Sequence, residues 1–242
     1  MKPILYAALL FAILPACELE VGHYHDHPPR SNPRPPASPR PGLWGDACRV
    51  DSQCGSGLAC TDGSCEPRRV GIYPVSALVA PGTADGREWD SDRLLPRWVW
   101  NELDLAMGLG VDALYDFMAE QAYMGWSKPD PYGYGFLSLD GRSYDEAYTI
   151  PLVERGENQL DVFDVVWPGP VGWSSVPFTT RLAVGVELWD EDQRTDDDIG
   201  FVELDFPLLR TALYQGGVVY FDTYEATDGQ LLLLGVEVVA ER

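Results

Sequence analysis

Residues 181–206 read RLAVGVELWDEDQRTDDDIGFVELDF, which is an apolar run, an acidic stretch and a second apolar run. Short apolar or alternating runs that are bounded by turn-forming residues are typical of β-strands. The pattern predicts strands over residues 181–188 and 199–206. It also predicts that the acidic stretch forms the loop between them.

Runs of the same kind recur on both sides of this stretch, from residue 70 to the end of the chain. They predict six further strands, over residues 70–80, 134–139, 147–153, 159–166, 218–221 and 230–239. Strands of this length, separated by turn residues, favour an antiparallel sandwich. We therefore predict an all-β domain, an eight-stranded antiparallel β-sandwich, over residues 70–242.

One segment breaks the strand pattern, because its apolar residues recur at intervals of three and four. These residues are Leu103, Met107, Val111, Leu114 and Met118. The spacing predicts an amphipathic helix within a helical insertion over about residues 93–127. Gly108 and Gly110 disfavour a continuous helix, so two shorter helices are the alternative. Since the polar face is acidic, we expect the apolar face to cover the sheet rather than a membrane.

The first residues have the features of an export signal. Lys2 precedes an apolar run over residues 4–14, which is too short to span a bilayer, and the run ends in Leu14-Pro15-Ala16-Cys17. This site resembles a bacterial lipobox, which implies a signal peptide over residues 1–17 and a lipoprotein anchored through a palmitate-bearing Cys17. Ordinary cleavage and an uncleaved anchor are the alternatives. Glu18 after the cysteine favours the cell outer membrane as the location.

Residues 18–42 are rich in Pro, Arg, Ser and His and lack apolar periodicity. Pro-rich segments favour extended conformations, so the stretch is predicted to be a disordered tether. It holds all three histidines, His23, His25 and His27, and alternating histidines can bind copper, nickel or zinc. Ordering a flexible segment around a metal costs backbone entropy, which favours composition bias as the explanation.

Residues 43–67 contain four cysteines, Cys48, Cys54, Cys60 and Cys65, among Gly, Ser and Asp turn formers. So short a segment buries almost no core, and exported proteins replace the missing burial with disulfides. We predict two disulfides and leave the three connectivities open. A zinc site is the alternative, but exported thiolates oxidise and the spacing is not paired Cys-x-x-Cys. The stretch resembles the small four-cysteine modules of exported bacterial proteins.

Charge is distributed unevenly along the chain. Residues 1–69 hold seven basic and seven acidic residues, so the net charge of −21 lies entirely in residues 70–242. This excludes nucleic-acid binding, which depends on Lys and Arg that neutralise phosphates. Anionic headgroups would also be repelled unless cations intervene. The domain contains no His or Cys and only one lysine, Lys128, which excludes Ser-His-Asp and Cys-His catalysis, His-ligated zinc and a phosphate loop.

The acidic loop is the strongest candidate for a site. Carboxylates crowded between residues 190 and 198 repel one another, and a bound cation relieves the repulsion. Oxygen ligands on a loop suit calcium, which takes about six to eight of them. The loop, with Asp190-x-Asp192 after a strand and Asp-x-x-Gly before the next, resembles loop 3 of C2 domains. Asp130-Pro131-Tyr132 and Asp228-Gly229-Gln230 are similar to two further C2 motifs, so residues 70–242 resemble a calcium- and phospholipid-binding C2 domain.

The resemblance implies a Ca²⁺ site in the apical loops. The acids that match the family motifs directly are Asp130, Asp190 and Asp192. The later ligand is open between Asp197 and Asp198, because the loop is one residue shorter than in familiar members, and Thr195 is a further candidate.

Loop 1 departs most from the family pattern. The position where the family carries a second Asp is Met124 here, and a helical insertion separates the strand from the Asp130 motif. Asp90, where loop 1 begins, is therefore the candidate ligand, with Asp85 and Asp92 behind it.

Together these features predict a non-catalytic lipoprotein, anchored at the cell envelope, that uses calcium to bind phospholipid or a protein partner. One alternative is a structural or adhesion domain without a functional calcium site, because residues 193–195 lack large apolar side chains for insertion into lipid. A second is a carboxylate-dependent glycoside hydrolase, since paired Asp and Glu suffice for that chemistry. Its sugar site would use exposed aromatic rings, but most of the tryptophans are better explained as sandwich core.

Overall fold

The computed structural model describes residues 42–154, 162–167, 170–192 and 196–241. These residues belong to one compact unit that begins at Pro41. The predicted signal peptide, Cys17, the tether up to residue 41 and Thr195 lie outside the described residues. So do the first residues of the strand predicted over 159–166.

Residues 42–67 form a small disulfide-bonded module. Its hairpin consists of β1 (Leu58–Thr61) and β2 (Ser64–Pro67), which pair antiparallel. Disulfides join Cys48 to Cys60 and Cys54 to Cys65. The prediction of two disulfides is confirmed, and the pairing links alternate cysteines along the chain. Because all four sulfurs are bonded in pairs, none is left as a thiolate for zinc.

Nine strands of the described residues follow the module and form two sheets. In chain order they are β3 (Arg69–Val79), β4 (Pro131–Ser138), β5 (Ile150–Val153), β6 (Asp164–Val166), β7 (Trp173–Pro177), β8 (Ala183–Asp190), β9 (Asp197–Asp205), β10 (Val218–Asp222) and β11 (Leu231–Glu241). The first sheet has the order β10-β11-β3-β6, with β7 also paired to β3, and the second has the order β5-β4-β8-β9. Neighbouring strands in both sheets run antiparallel.

The β6 and β7 segments share one edge of β3. β6 pairs with residues 76–78, and β7 pairs with residues 69–72 at the other end of the same strand. The first sheet therefore has four strand positions, as the second sheet does. The predicted eight-stranded antiparallel β-sandwich is confirmed, with one edge position divided between two segments. β7 was not predicted because its sequence, WSSVP, has only five residues and two of them are serines.

The two sheets share one hydrophobic core. Its fully buried aliphatic residues include Ile72, Leu78, Val184, Val186, Leu188, Leu234 and Val236. Burying one such side chain stabilises the fold by about 1.5–3 kcal/mol. β9 shows the alternation that produces this core, since Val202 and Leu204 are buried whereas Phe201 and Glu203 are exposed.

The strand register brings the acidic motifs to one end of the second sheet. Pro131, the first residue of β4, pairs with Asp190, the last residue of β8. Asp190 in turn pairs with Asp197, the first residue of β9. The segment before β4 and both ends of the loop between β8 and β9 therefore meet at the same end of the sheet.

The insertion contains two helices, α1 (Arg97–Leu109) and α2 (Val111–Gln121). Gly110 separates them with a φ of 104°, a backbone conformation that favours glycine. Their buried apolar residues, all part of the sandwich core, are Val99, Leu103, Ala106, Leu114, Phe117 and Met118. The helical insertion is confirmed, in its two-helix form. Within the described residues, no helix combines the length and the apolar character that crossing a bilayer requires.

A third helix, α3 (Phe206–Gln215), was not predicted. Asp205 caps it by accepting a hydrogen bond from Leu208 N at 3.3 Å, and Pro207 lies in the first turn. Such a cap followed by proline is a helix-start signal, and Gly216 after the last residue is a stop signal. In the sequence, these signals come directly after the stronger strand pattern of β9.

α3 holds the disulfide-bonded module against the sandwich. Glu66 of β2 is fully buried and forms an ion pair with Arg210 of α3 at 2.8 Å. The same carboxylate accepts hydrogen bonds from Tyr214 Oη at 3.0 Å and from Trp44 Nε1 at 3.2 Å. Because both oxygens of this buried carboxylate have partners, the module and the sandwich are fixed to each other at this contact.

The packing of β4 against β8 leaves no room for a side chain at Gly133. A Cβ at this position would lie 2.2 Å from the Glu187 carbonyl oxygen of β8, so the two strands would have to separate. We expect Gly133→Ala to lower the free energy of unfolding by about 1–3 kcal/mol, measured by urea denaturation. In the control, Gly108→Ala, the Cβ meets no atom within 4 Å and should be neutral or stabilising. Equal effects of the two substitutions would contradict the β4–β8 spacing.

Candidate metal centre

Loop 1, residues 80–96, connects β3 to α1 and carries Asp90 at its tip. A hydrogen bond from Glu88 N to Arg93 O, 2.9 Å long, closes the loop as a narrow turn. Trp89 is fully buried, and its Nε1 donates to the backbone carbonyl that follows β3 at 2.9 Å. Asp90 then turns the chain with a φ of 54°, in the left-handed region that Asp tolerates better than most residues. The carboxylate of Asp90 thus lies at an anchored, exposed tip.

Asp190 is fully buried at the end of β8. Its Oδ1 accepts a hydrogen bond from the Asp130 N–H at 2.6 Å. Its Oδ2 is also buried and has no hydrogen-bond partner among the described residues. A buried carboxylate oxygen without a partner is costly, so this oxygen requires a proton or a cation.

The carboxylate of Asp190 lies close to two others. Asp90, Asp190 and Asp192 each offer an oxygen atom, and these atoms all lie within 4.8 Å of one another. The pKa of Asp190 is raised to about 7, mainly by burial and also by the nearby charges of Asp90, Asp192 and Asp130, while the hydrogen bond from Asp130 N lowers it. Two loops that are distant in the sequence therefore supply one compact set of acidic ligands.

Asp130 is tied to the end of β8 through its main chain. Its N–H donates to Asp190, and its carbonyl oxygen accepts a hydrogen bond from Glu191 N at 3.0 Å. Its carboxylate is outside the group of three, although its charge contributes to the raised pKa of Asp190. Of the three directly matched acids, Asp190 and Asp192 thus lie in the group and Asp130 lies beside it.

The later acids lie at the beginning of β9. Asp197 and Asp198 line the same cleft as Asp192. Burial, and after it the charge of Asp192, raises the pKa of Asp197. The carboxylate of Asp196 accepts hydrogen bonds from Tyr132 Oη at 2.8 Å and from Asp192 N at 3.4 Å. Asp197 and Asp198 both stay candidates for the later ligand.

Asp85 and Asp92, the other acids of loop 1, are bound to Arg87. The guanidinium lies 3.0 Å from the carboxylate of Asp85 and 3.1 Å from that of Asp92. A hydrogen bond of 2.7 Å from the Thr83 hydroxyl, followed by the charge of Arg87, lowers the pKa of Asp85. Asp90, rather than either of these acids, joins the group with Asp190.

Loop 1, Asp192 and the beginning of β9 line a cleft of about 550 Å³, and Gln230 lies at one side of it. Gln230 Oε1 accepts a hydrogen bond from Ala84 N at 2.7 Å, and its Nε2 donates to Asp198 O at 2.6 Å. This side chain therefore joins loop 1 to the beginning of β9. The sequence does not reveal this role of Gln230, because its two partners are distant along the chain.

The residues of the cleft suit a hard divalent cation. The grouped ligand atoms are all carboxylate oxygens, and His and Cys are absent from residues 70–242. Calcium and magnesium prefer oxygen ligands, and calcium accepts irregular loop geometries that magnesium does not. The partnerless buried oxygen of Asp190 is an independent sign that the cluster is more than a solvated acidic face. The donor set therefore fits Ca²⁺.

Several of the solved structures to which this chain is similar are structures of C2 domains. The first of these, C2 domain A of plant extended synaptotagmin 1, is 13% identical with a TM-score of 0.37, over 71% of this chain and 92% of that chain. A structure of C2 domains A and B of extended synaptotagmin 2 is 14% identical with a TM-score of 0.38, over 70% of this chain and 40% of that chain. Its calcium-bound form is 15% identical with a TM-score of 0.38, over 70% of this chain and 45% of that chain. No family model and no curated protein sequence matches the chain.

Without a cation, we expect thermal stability to fall as the pH rises from about 5 to 8. The pKa of Asp190 is raised from 3.8 to about 7, so its protonated form stabilises the fold at low pH and this contribution is lost as the pH passes the folded-state pKa. Asp190→Asn removes the charge but keeps an oxygen acceptor for the Asp130 N–H. In EDTA at pH 8 this variant should melt several degrees above the unaltered protein by calorimetry.

Asp116→Asn, an exposed substitution on α2, is the control and should leave the pH profile unchanged. An Asp190→Asn variant with the pH profile of the unaltered protein would contradict the burial of a proton-binding carboxylate at this site.

Proposed function

We propose that this chain is a non-catalytic, envelope-anchored lipoprotein whose C2-like domain binds Ca²⁺ through Asp90, Asp190 and Asp192. The bound ion then lets the acidic domain attach to an anionic phospholipid surface. Asp130 and the acids at the start of β9 complete the ligand set. Cys17, acylated after signal-peptide cleavage, supplies the anchor at the outer membrane.

The observation that carries this proposal is the carboxylate of Asp190. It is fully buried, one of its oxygens has no hydrogen-bond partner among the described residues, and two further carboxylates lie within 4.8 Å. Three such charges repel one another strongly, and a divalent cation turns the repulsion into attraction. Their close grouping around one point suits an ion better than it suits glycoside hydrolysis, whose two carboxylates stand about 5–10 Å apart across a sugar.

Exposed apolar side chains in loop 1 and in the turn after α2 support attachment to lipid. Leu94, in loop 1, is 68% exposed, while Tyr123 and Met124, in the turn after α2, are 90% and 50% exposed. The two segments are neighbours, because the guanidinium of Arg93 lies 5.3 Å from the ring centroid of Trp126. We call Leu94, Tyr123 and Met124 the apolar tip. Loop 1 and the helical insertion thus supply the exposed apolar surface that residues 193–195 lack in sequence.

Charge explains why the ion would control attachment. The domain carries the whole net charge of −21, so anionic headgroups repel it in the absence of cations. A calcium ion held by the three aspartates cancels part of this negative charge. It can also accept phosphate oxygens in the coordination positions that the protein leaves open.

Calcium at several millimolar should raise the melting temperature of the full chain above its value in EDTA. An extracellular-type site predicts about 1–2 kcal/mol of stabilisation, or several degrees, and magnesium should give less. Asp190→Asn combined with Asp192→Asn should abolish the increment. Asp112→Asn combined with Asp116→Asn, which removes two exposed acids of α2, should retain it. If calcium and magnesium give no shift in the unaltered protein, the acids form a solvated face and the domain serves adhesion without a cation.

Calcium should also recruit the domain to phosphatidylserine-containing vesicles. The assay uses the Cys17→Ala chain, so that an acyl anchor cannot bind the vesicles, and compares co-sedimentation in calcium with that in EDTA. Tyr123→Ser with Met124→Ser should lower the calcium-dependent bound fraction severalfold. Leu105→Ser with Leu109→Ser, which alters exposed apolar residues of α1 outside the apolar tip, should not. Calcium binding without any vesicle binding would transfer the role to a protein partner.

A further inference from the structure

Glu88 is a buried carboxylate that the calcium site does not use as a ligand. It lies two residues before Asp90 and is only 3% exposed. Its Oε1 forms an ion pair with Arg93 Nε, and its Oε2 accepts a hydrogen bond from Ser127 N at 3.3 Å. Both oxygens are therefore engaged within the protein, and Glu88 links loop 1 to the segment that follows α2.

The link continues into the helical insertion. Arg93, the ion-pair partner of Glu88, lies over the ring of Trp126 at 5.3 Å. Trp126 Nε1 in turn donates to Gln121 Oε1, at the end of α2, at 3.2 Å. A chain of four side chains thus runs from the base of the Asp90 turn to the last residue of α2.

The two ends joined by Glu88 both lead to the metal centre. On one side, Glu88 is separated from Asp90 only by Trp89, which is buried and anchored. On the other side, Ser127 is three residues before Asp130, whose N–H holds Asp190 in place. A cation site needs its ligands at fixed spacing, and groups that orient ligands from behind affect affinity almost as much as the ligands themselves.

We propose that Glu88 is a positioning residue of the calcium site. Glu88 holds the Asp90 and Asp130 segments at the spacing that one ion requires. It also couples calcium binding to the helical insertion. This inference rests on the proposed calcium function. If it is correct, the helical insertion contributes to calcium affinity in addition to covering the core.

The test compares two buried glutamates that each pair with an arginine. Glu88→Gln removes the charge beside the site, whereas Glu66→Gln removes the matching charge at the contact between the module and α3. Both should lower the melting temperature in EDTA, because each removes an arginine's ion pair with a buried carboxylate. Titration calorimetry of the full chain with calcium chloride should show an affinity about tenfold lower for Glu88→Gln and unchanged for Glu66→Gln.

A second measurement reads the coupling directly. Calcium should slow amide hydrogen exchange in residues 111–126 of the unaltered protein and of Glu66→Gln, and should slow it less in Glu88→Gln. If Glu88→Gln does not fold, Arg93→Gln removes the same ion pair from its exposed side and should also lower calcium affinity.

The outcomes separate the two proposals. An affinity of Glu88→Gln equal to that of the unaltered protein, or equal losses in Glu88→Gln and Glu66→Gln, would overturn the positioning role and leave the calcium site in place. Absence of calcium binding in the unaltered protein would instead overturn the proposed function itself.

Discussion

The site depends on the burial of one carboxylate. Asp190 ends β8 between β4 and β9, where it is fully shielded from water. A carboxylate in that position must be hydrogen-bonded, protonated or bound to a cation. The 2.6 Å hydrogen bond from Asp130 N satisfies one oxygen and also fixes the segment before β4. The other oxygen still needs a proton or a cation. Asp90 and Asp192 each bring a carboxylate oxygen within 4.8 Å of Asp190, so a cation could bind all three.

Acids that repel one another cannot assemble such a site themselves, so other residues hold the segments together. Trp89 anchors loop 1 in the core, and Gln230 joins the same loop to β9. Glu88 joins it to the segment before Asp130. None of these three side chains belongs to the group of acids, yet each limits how far the acids can move apart. The electrostatic strain of the cluster is thus opposed by packing and by hydrogen bonds outside it.

The period of apolar residues was enough to predict the sandwich, and the helical spacing was enough to predict the insertion. The acids of the site could be predicted because aspartates between strands are visible in the sequence. Glu88 and Gln230 could not, because Ser127 is 39 residues from Glu88, and Ala84 and Asp198 are 146 and 32 residues from Gln230. Only the folded chain brings these partners together. The disulfide pairing was open for a similar reason, because the spacing of the four cysteines is compatible with every connectivity. α3 differs from these cases, since its cap, proline and glycine were readable but were outweighed by the strand that precedes it.

β3 separates the disulfide-bonded module from the candidate calcium site. The disulfide-bonded module ends immediately before β3, and loop 1 begins immediately after it. β3 has eleven residues, and at about 3.3 Å per residue its ends are roughly 35 Å apart. The candidate calcium site therefore lies at the end of the sandwich opposite the point where the chain enters from the module. A membrane or protein bound at this site would lie roughly the length of β3 away from the disulfide-bonded module.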